Sequence, residues 1–231
     1  MKKVINPRLM LIVSMTIFGT LGIFVRNIPV SSGELALYRA ILAALLIAIY
    51  LIITKQRISF TKIKKEVPLL LLSGIAMGVN WILLFEAYKY TTVSLATLSY
   101  YFAPVIVTVV CPVLFHERLT GKQILCFIMS TIGLVMITGI GDIGSGSDFI
   151  GILFGLGAAV FYATVILLNK FIKNVEGIPR TFLQFLSAIV ILIPYVMLSG
   201  GMSLGGMNAV GWINLLIVGL VHTGVTYCMY F

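Results

Sequence analysis

Few side chains in this 231-residue sequence could act on a solute, and most of those interrupt long apolar runs. Arg39 lies about one turn inside a run beginning at Leu35. A guanidinium there either grips an anionic carboxylate through paired N–H donors or reaches back to the nearer membrane surface. An arginine at a bilayer centre costs about 2.5 to 3.5 kcal/mol on insertion scales, which makes such a residue a functional candidate. Asn80 and Trp81, in the middle of another run, combine an amide with an aromatic face. Either they line a cavity, or Asn80 bonds a neighbouring helix for about 1 kcal/mol. Tyr100, Tyr101 and Tyr227 offer rings and hydroxyls, and Pro104 is placed to bend the segment carrying the first two. For proton coupling the candidates are His222, the only histidine inside an apolar run, and Glu86 near the end of its run. Glu86 has Lys89 and Arg39 as prospective partners, whereas Glu34 reads as the capping partner of Ser31.

Other chemistries are disfavoured. Cys111, Cys126 and Cys228 show no Cys-x-x-Cys or Cys/His spacing, so no metal site, disulfide framework or cofactor is expected. No paired acid and base, and no nucleophile beside a base, suggests an enzyme. Sixteen Lys and Arg against 7 Asp and Glu give a net charge of +9, which in a soluble domain would raise the question of nucleic acid. Here the cations lie between apolar runs, so membrane topology accounts for them and no nucleic-acid partner is expected.

The elements that must position these residues are transmembrane helices. The chain is 60% hydrophobic and 10% charged with a mean hydropathy of +1.13, far from the composition of a soluble domain. Its runs have helix length and do not alternate as strands, and only helices or closed barrels satisfy their backbone groups in hydrocarbon. The runs predict eight spans, at about Leu9–Val25, Leu35–Ile53, Val67–Tyr88, Val93–Phe115, Ile124–Ile140, Phe149–Leu168, Thr181–Leu198 and Val210–Phe231. The first is preceded by Lys2, Lys3 and Arg8 but has no clear small-residue cleavage site, so it reads as a span, not a signal peptide.

Alternate loops then place Lys2, Lys3, Arg8, Lys55, Arg57, Lys62, Lys64, Lys65, Arg118, Lys122, Lys170, Lys173 and Arg180 on one side, with Arg26 and Lys89 on the other. That asymmetry predicts a multi-pass protein of the cytoplasmic membrane with its N-terminus inside. Ser31 with Glu34, and Thr120 with Gln123, have capping-box spacing, and Asp148 is placed to cap the sixth span. Gly74 with Gly78, and Gly151 with Gly155, have the small-xxx-small spacing of close helix packing, within the fold first and in a homodimer second.

The second half repeats the first weakly at a spacing of roughly 143 to 146 residues. Phe18 falls opposite Phe161, Gly78-Val79-Asn80-Trp81 opposite Gly224-Val225-Thr226-Tyr227, and Phe85 opposite Phe231. If the repeat unit has five spans, the second copy enters the membrane from the opposite face, an arrangement recurrent in secondary transporters with a midplane site. The expected division is a first repeat over residues 1–140, a Gly/Ser linker over 141–148 and a second repeat over 149–231.

The run from Tyr88-Lys89-Tyr90-Thr91-Thr92-Val93-Ser94 through Ala103-Pro104-Val105, then His116-Glu117-Arg118-Leu119-Thr120 and Gly133-Leu134-Val135, resembles the EamA-type drug/metabolite transporters. Tyr38-Arg39-Ala40 at the head of span two is similar to that family as well. The resemblance implies a ten-helix fold of two inverted five-helix repeats that moves small metabolites, often amino acids, outward by alternating access. Span eight corresponds to span three, so the second repeat is expected to be incomplete, lacking its last two helices. A non-transporting remnant or assembly subunit of the same family is the alternative. Glu117 and Arg118 belong to the family-like turn and read as structural. Span one carries no acid, unlike the small multidrug exporters that resemble half of this family, which disfavours exchange of protons for cationic drugs.

Overall fold

The computed structural model describes residues 7–56, 63–116, 119–138, 146–200, 202 and 206–230. Among these residues there is no strand. The helices are α1 (Pro7–Val25), α2 (Ser32–Ile53), α3 (Val67–Tyr90), α4 (Val93–Tyr100), α5 (Ala103–Phe115), α6 (Gly121–Thr138), α7 (Gly146–Phe171), α8 (Gly177–Leu198), α9 (Ala209–Leu216), a π-helix (Ile217–Val225) and α10 (Thr226–Tyr230). The segments α9, π-helix and α10 run on without a break, whereas α4 and α5 are separated by Tyr101 and Phe102; over their described residues the eight expected spans are otherwise helical, and 6 are long and apolar enough to cross a membrane.

Polarity is distributed for lipid. Ile52, Val113 and Met136 are each at least three-quarters exposed, while Arg39, Asn80, Gln184 and His222 are at most 2% exposed. A protein folding in water would reverse that pattern; in hydrocarbon it turns apolar chains outward and polar ones toward protein partners.

The helix ends follow local chemistry. Ser31 Oγ accepts the Glu34 N–H at 3.2 Å and Glu34 Oε2 accepts the Ser31 N–H at 2.9 Å, completing the expected capping box. Gln123 accepts the Thr120 N–H at 2.8 Å in the same way. Asn208 caps α9 through the Gly211 N–H at 2.7 Å. Asp148 differs from expectation: α7 begins at Gly146, so the carboxylate lies in the first turn, where the helix dipole favours it, and accepts the Thr91 hydroxyl at 2.8 Å. The fourth span also differs, because it breaks at Tyr101 and Phe102 and restarts with Pro104 in the first turn of α5, where a missing N–H costs nothing.

The chain forms two compact units, Met1–Gly78 with Ile172–Phe231, and Val79–Phe171, the division falling inside α3. In the first unit α2 and α8 run antiparallel, Gly33 at the start of one meeting Tyr195 and Val196 near the end of the other. Gly74 and Gly78 of α3 bring its first half onto α8, against Ser187, Ala188 and Leu192. Gly219 and Gly224 bring the π-helix onto α2, against Leu42, Ala43 and Leu46. Close backbone approach at glycine replaces the hydrophobic driving force that lipid cannot provide. In the second unit Gly151 and Gly155 of α7 play the same part against Thr91, Ala96 and Ser99. Both small-xxx-small pairs therefore pack within the chain. Residues 141–145 of the Gly/Ser connection lie outside the described residues.

Candidate functional site

The polar residues of the first unit gather around the π-helix. Arg39 sits two turns into α2, 1% exposed, and its Nε donates to Thr223 Oγ1 at 3.0 Å. It therefore turns inward, not back to the membrane surface. Thr223 donates in turn to the Val218 carbonyl at 2.8 Å. The neighbouring His222 points elsewhere: its Nε2 lies 2.9 Å from Thr20 Oγ1 of α1, its Nδ1 is 3.4 Å from the Ile217 carbonyl, and its ring is 5.1 Å from that of Phe24. Tyr227 completes the stripe, packed edge-on against Phe18 at 5.5 Å and Phe185 at 5.3 Å.

The π-helix makes this arrangement. Its i to i+5 bonds widen the turn, and such segments mark functional sites more often than chance. Side chains of His222, Thr223 and Thr226 all lie within bonding distance of the carbonyl five residues back, bracing the wider register.

In the second unit Asn80, 1% exposed, donates through Nδ2 to the Ala158 carbonyl at 2.7 Å, and its Oδ1 is buried with no hydrogen-bond partner among the described residues. Trp81 is also 1% exposed. Tyr100 lies 5.3 Å from Tyr162 and 6.1 Å from Tyr101, whose own ring is exposed. Glu86 pairs with Lys89 at 2.8 Å on an exposed turn, so of its two prospective partners it takes the nearer in sequence.

The structure thus joins Arg39, His222 and Tyr227 through one helical segment, and in the other unit joins Tyr100 to Tyr101. Glu117 and Arg118 fall outside the described residues. Thr20, Thr223, Ser73 and Gln184 were not singled out from the sequence. Gln184 was legible as the lone amide of its run, but hydroxyl residues are too common in apolar helices to signal a partner.

A second polar knot closes one end of the first unit. Glu66 Oε1, just before α3, accepts the Lys173 N–H at 3.0 Å, the Asn174 N–H at 2.8 Å and Asn174 Nδ2 at 2.6 Å. Among the described residues no group of three or more His, Cys, Asp or Glu is placed to hold a metal.

Comparison with known proteins agrees with this architecture. Residues 7–139 and 149–231 match the EamA-like transporter family. The chain is 30% identical over 223 residues to the uncharacterized transporter YxxF of Bacillus subtilis (strain 168), covering 96% of this chain and 71% of that relative. One solved protein crystal structure superposes with a TM-score of 0.73 at 14% identity, over 97% of this chain and 77% of the other, a likeness of fold. A multi-pass helical protein matched along nearly its whole length by that family belongs to it: this chain is a member of the EamA-like transporter family.

Proposed function

We propose that this protein is a secondary transporter that exports small metabolites carrying a carboxylate, such as amino acids, across the cytoplasmic membrane by alternating access, with its N-terminus inside. The observation that carries the reading is the buried Arg39, held by Thr223 on a π-helix among membrane-length apolar helices. A guanidinium kept away from water at that depth is costly and suits recognition of an anionic group. Asn80, Trp81, Tyr100, Tyr101 and Tyr227 would supply amide and ring contacts, and His222, with Glu86 as the second candidate, would couple transport to protons.

Support for two inverted repeats comes from contacts that exchange between halves. Helices α2 and α8 have 22 residues each and begin at positions about 145 apart. At that same offset, Gly78 against Ala188 and Leu192 becomes Gly224 against Ala43 and Leu46. Inverted repeats of this kind are how ten-helix transporters alternate between faces. The deciding experiment is efflux of preloaded radiolabelled amino acids from cells expressing the protein, beside an equally abundant Arg39→Ala variant. Efflux lost in the variant supports the reading; equal efflux with and without the protein, across a panel of carboxylate solutes, rejects it.

A further inference from the structure

The span from Val93 to Phe115 is interrupted well inside its length, after the 8 residues of α4. Phe102 donates its N–H to the Ser99 carbonyl at 3.2 Å, passing over its α-helical partner Leu98, and Val105 donates to Phe102 at 3.0 Å, passing over Tyr101. Pro104, the other residue in reach of the Tyr101 carbonyl, has no N–H to give. That carbonyl is left outside the ladder, with no backbone donor among the described residues. Released backbone groups at such depth occur where they are buried in protein or line a water-filled space, not against lipid. Tyr101 is 43% exposed, and a cavity of about 240 Å³ between α5 and α6 has Pro104 and Val105 in its wall, so the interruption faces open space.

Other electron-rich groups of the same unit gather beside it. The Tyr101 ring lies 6.1 Å from that of Tyr100, which lies 5.3 Å from that of Tyr162 on α7. Tyr162 stands one turn beyond Ala158, whose carbonyl accepts from Asn80 Nδ2 at 2.7 Å, so the amide and the rings meet one face of α7. Asn80 Oδ1 is buried with no partner among the described residues, a costly state that a ligand bringing an N–H would relieve. The nearest acids of the unit are already engaged, Glu86 with Lys89 and Asp148 with Thr91. The cluster is therefore neutral and rich in acceptors.

We propose that the unit Val79–Phe171 carries a subsite for the primary ammonium group of the solute, received by the Tyr101 carbonyl, the Asn80 amide oxygen and the faces of Tyr100, Tyr101 and Tyr162. The proposal rests on the reading of the protein as a carrier of carboxylate solutes and narrows it to those bearing an amine. A carboxylate alone does not distinguish an amino acid from its hydroxy acid analogue, since a guanidinium grips both alike. An ammonium group brings several N–H donors and a full positive charge to a place that offers only acceptors. The negative end of α4 and the ring quadrupoles attract it, and half-helix ends with unwound carbonyls hold cations in other transporters. The hydroxyl of a hydroxy acid brings one donor and no charge.

The test measures release of radiolabelled amino acids and of their hydroxy acid analogues from vesicles reconstituted with the purified protein, over a panel of side chains. The wild type should release the amino acid at least roughly tenfold faster than its analogue. Tyr101→Leu, which removes the ring, and Asn80→Leu, which removes the amide oxygen, should each narrow that preference roughly fivefold to tenfold. Tyr101→Phe keeps the ring face and the carbonyl and should restore it to within about twofold. Tyr101 is exposed, so its variants carry the test if Asn80→Leu does not fold. Equal release of both solutes by the wild type overturns the subsite and leaves carboxylate transport standing. A preference unchanged in both leucine variants overturns its placement here. Release that depends on sodium ions and not on the solute's amine gives the acceptors to a metal ion and overturns the assignment as well. Release of neither solute above that of protein-free vesicles overturns the transport reading itself, and the subsite with it.

Discussion

The Nε2 of His222 lies 2.9 Å from the Thr20 hydroxyl, and that same hydroxyl lies 2.8 Å from the Ile17 carbonyl within its own helix. A threonine has one proton to give. When it goes to Ile17, Nε2 must carry a proton and donate; when Nε2 is bare, the hydroxyl must turn toward the ring. With Nδ1 3.4 Å from the Ile217 carbonyl, a neutral ring protonated at Nδ1 takes the threonine proton at Nε2, whereas a doubly protonated ring donates at both nitrogens. The protonation state of His222 therefore sets how α1 is tied to the π-helix.

Arg39 of α2 is bonded to Thr223, the residue next to His222, while α1 between Leu9 and Val25 has no ionisable side chain and the stretch after the π-helix adds Tyr227, Cys228 and Tyr230. Replacing Thr20 with valine should flatten the dependence of efflux on pH between about 5.5 and 7.5, and Thr20→Ser should restore it. Efflux profiles against pH check this, and an unchanged profile in Thr20→Val would remove the hydroxyl from proton coupling.

Arg39→Lys keeps the charge but loses the flat fork of donors, so it should lower efflux at least tenfold at equal membrane abundance. Wild-type rates in Arg39→Lys would mean that only charge matters at this position.

Glu66→Ala would leave three donors, from Lys173 and Asn174, without their shared acceptor. A loss of about 2 kcal/mol is expected, seen as a lower melting temperature in detergent and faster hydrogen exchange at the amides of Lys173 and Asn174. Glu66→Gln retains an accepting oxygen and should fall between.

Gly74→Ala should destabilise by about 1 to 3 kcal/mol, because an added methyl collides with Ser187 and with the Gln184 carbonyl. The same change at Gly19 or Gly133, where a new Cβ meets nothing within 4 Å, should be neutral. Equal melting temperatures for Gly74→Ala and the wild type would contradict the close approach of α3 and α8.

A cytoplasm-dependent reporter fused after Lys65 should be active, and one fused after Gly144 silent. The reverse pattern would invert the assigned orientation.

Hydropathy and capping residues made the helices legible, since length, Ser31 with Glu34 and Thr120 with Gln123 act within a few residues of one another. Arg39, Asn80 and His222 stood out because polar groups are rare in apolar runs. Their partners did not. Thr223 and Thr20 lie far from Arg39 and His222 along the chain, and only packing decides which of many hydroxyls each polar group meets. The interruption at Tyr101 and Phe102 was only half legible: Pro104 announces a bend, but whether it bends a helix or begins one depends on the preceding backbone.

The π-helix was not legible at all, and it fixes the rotational phase of everything after it. Ile217–Val225 uses a wider turn than an α-helix, so it absorbs residues without advancing the side-chain pattern at the usual rate. Deleting one residue there, such as Leu220, would leave composition and hydropathy nearly untouched. It would also swing Tyr227 by about 100°, away from both Phe18 and Phe185. A single-residue change in length in this segment therefore acts as a change of aim, able to redirect the far end of the span while its apolar character stays the same.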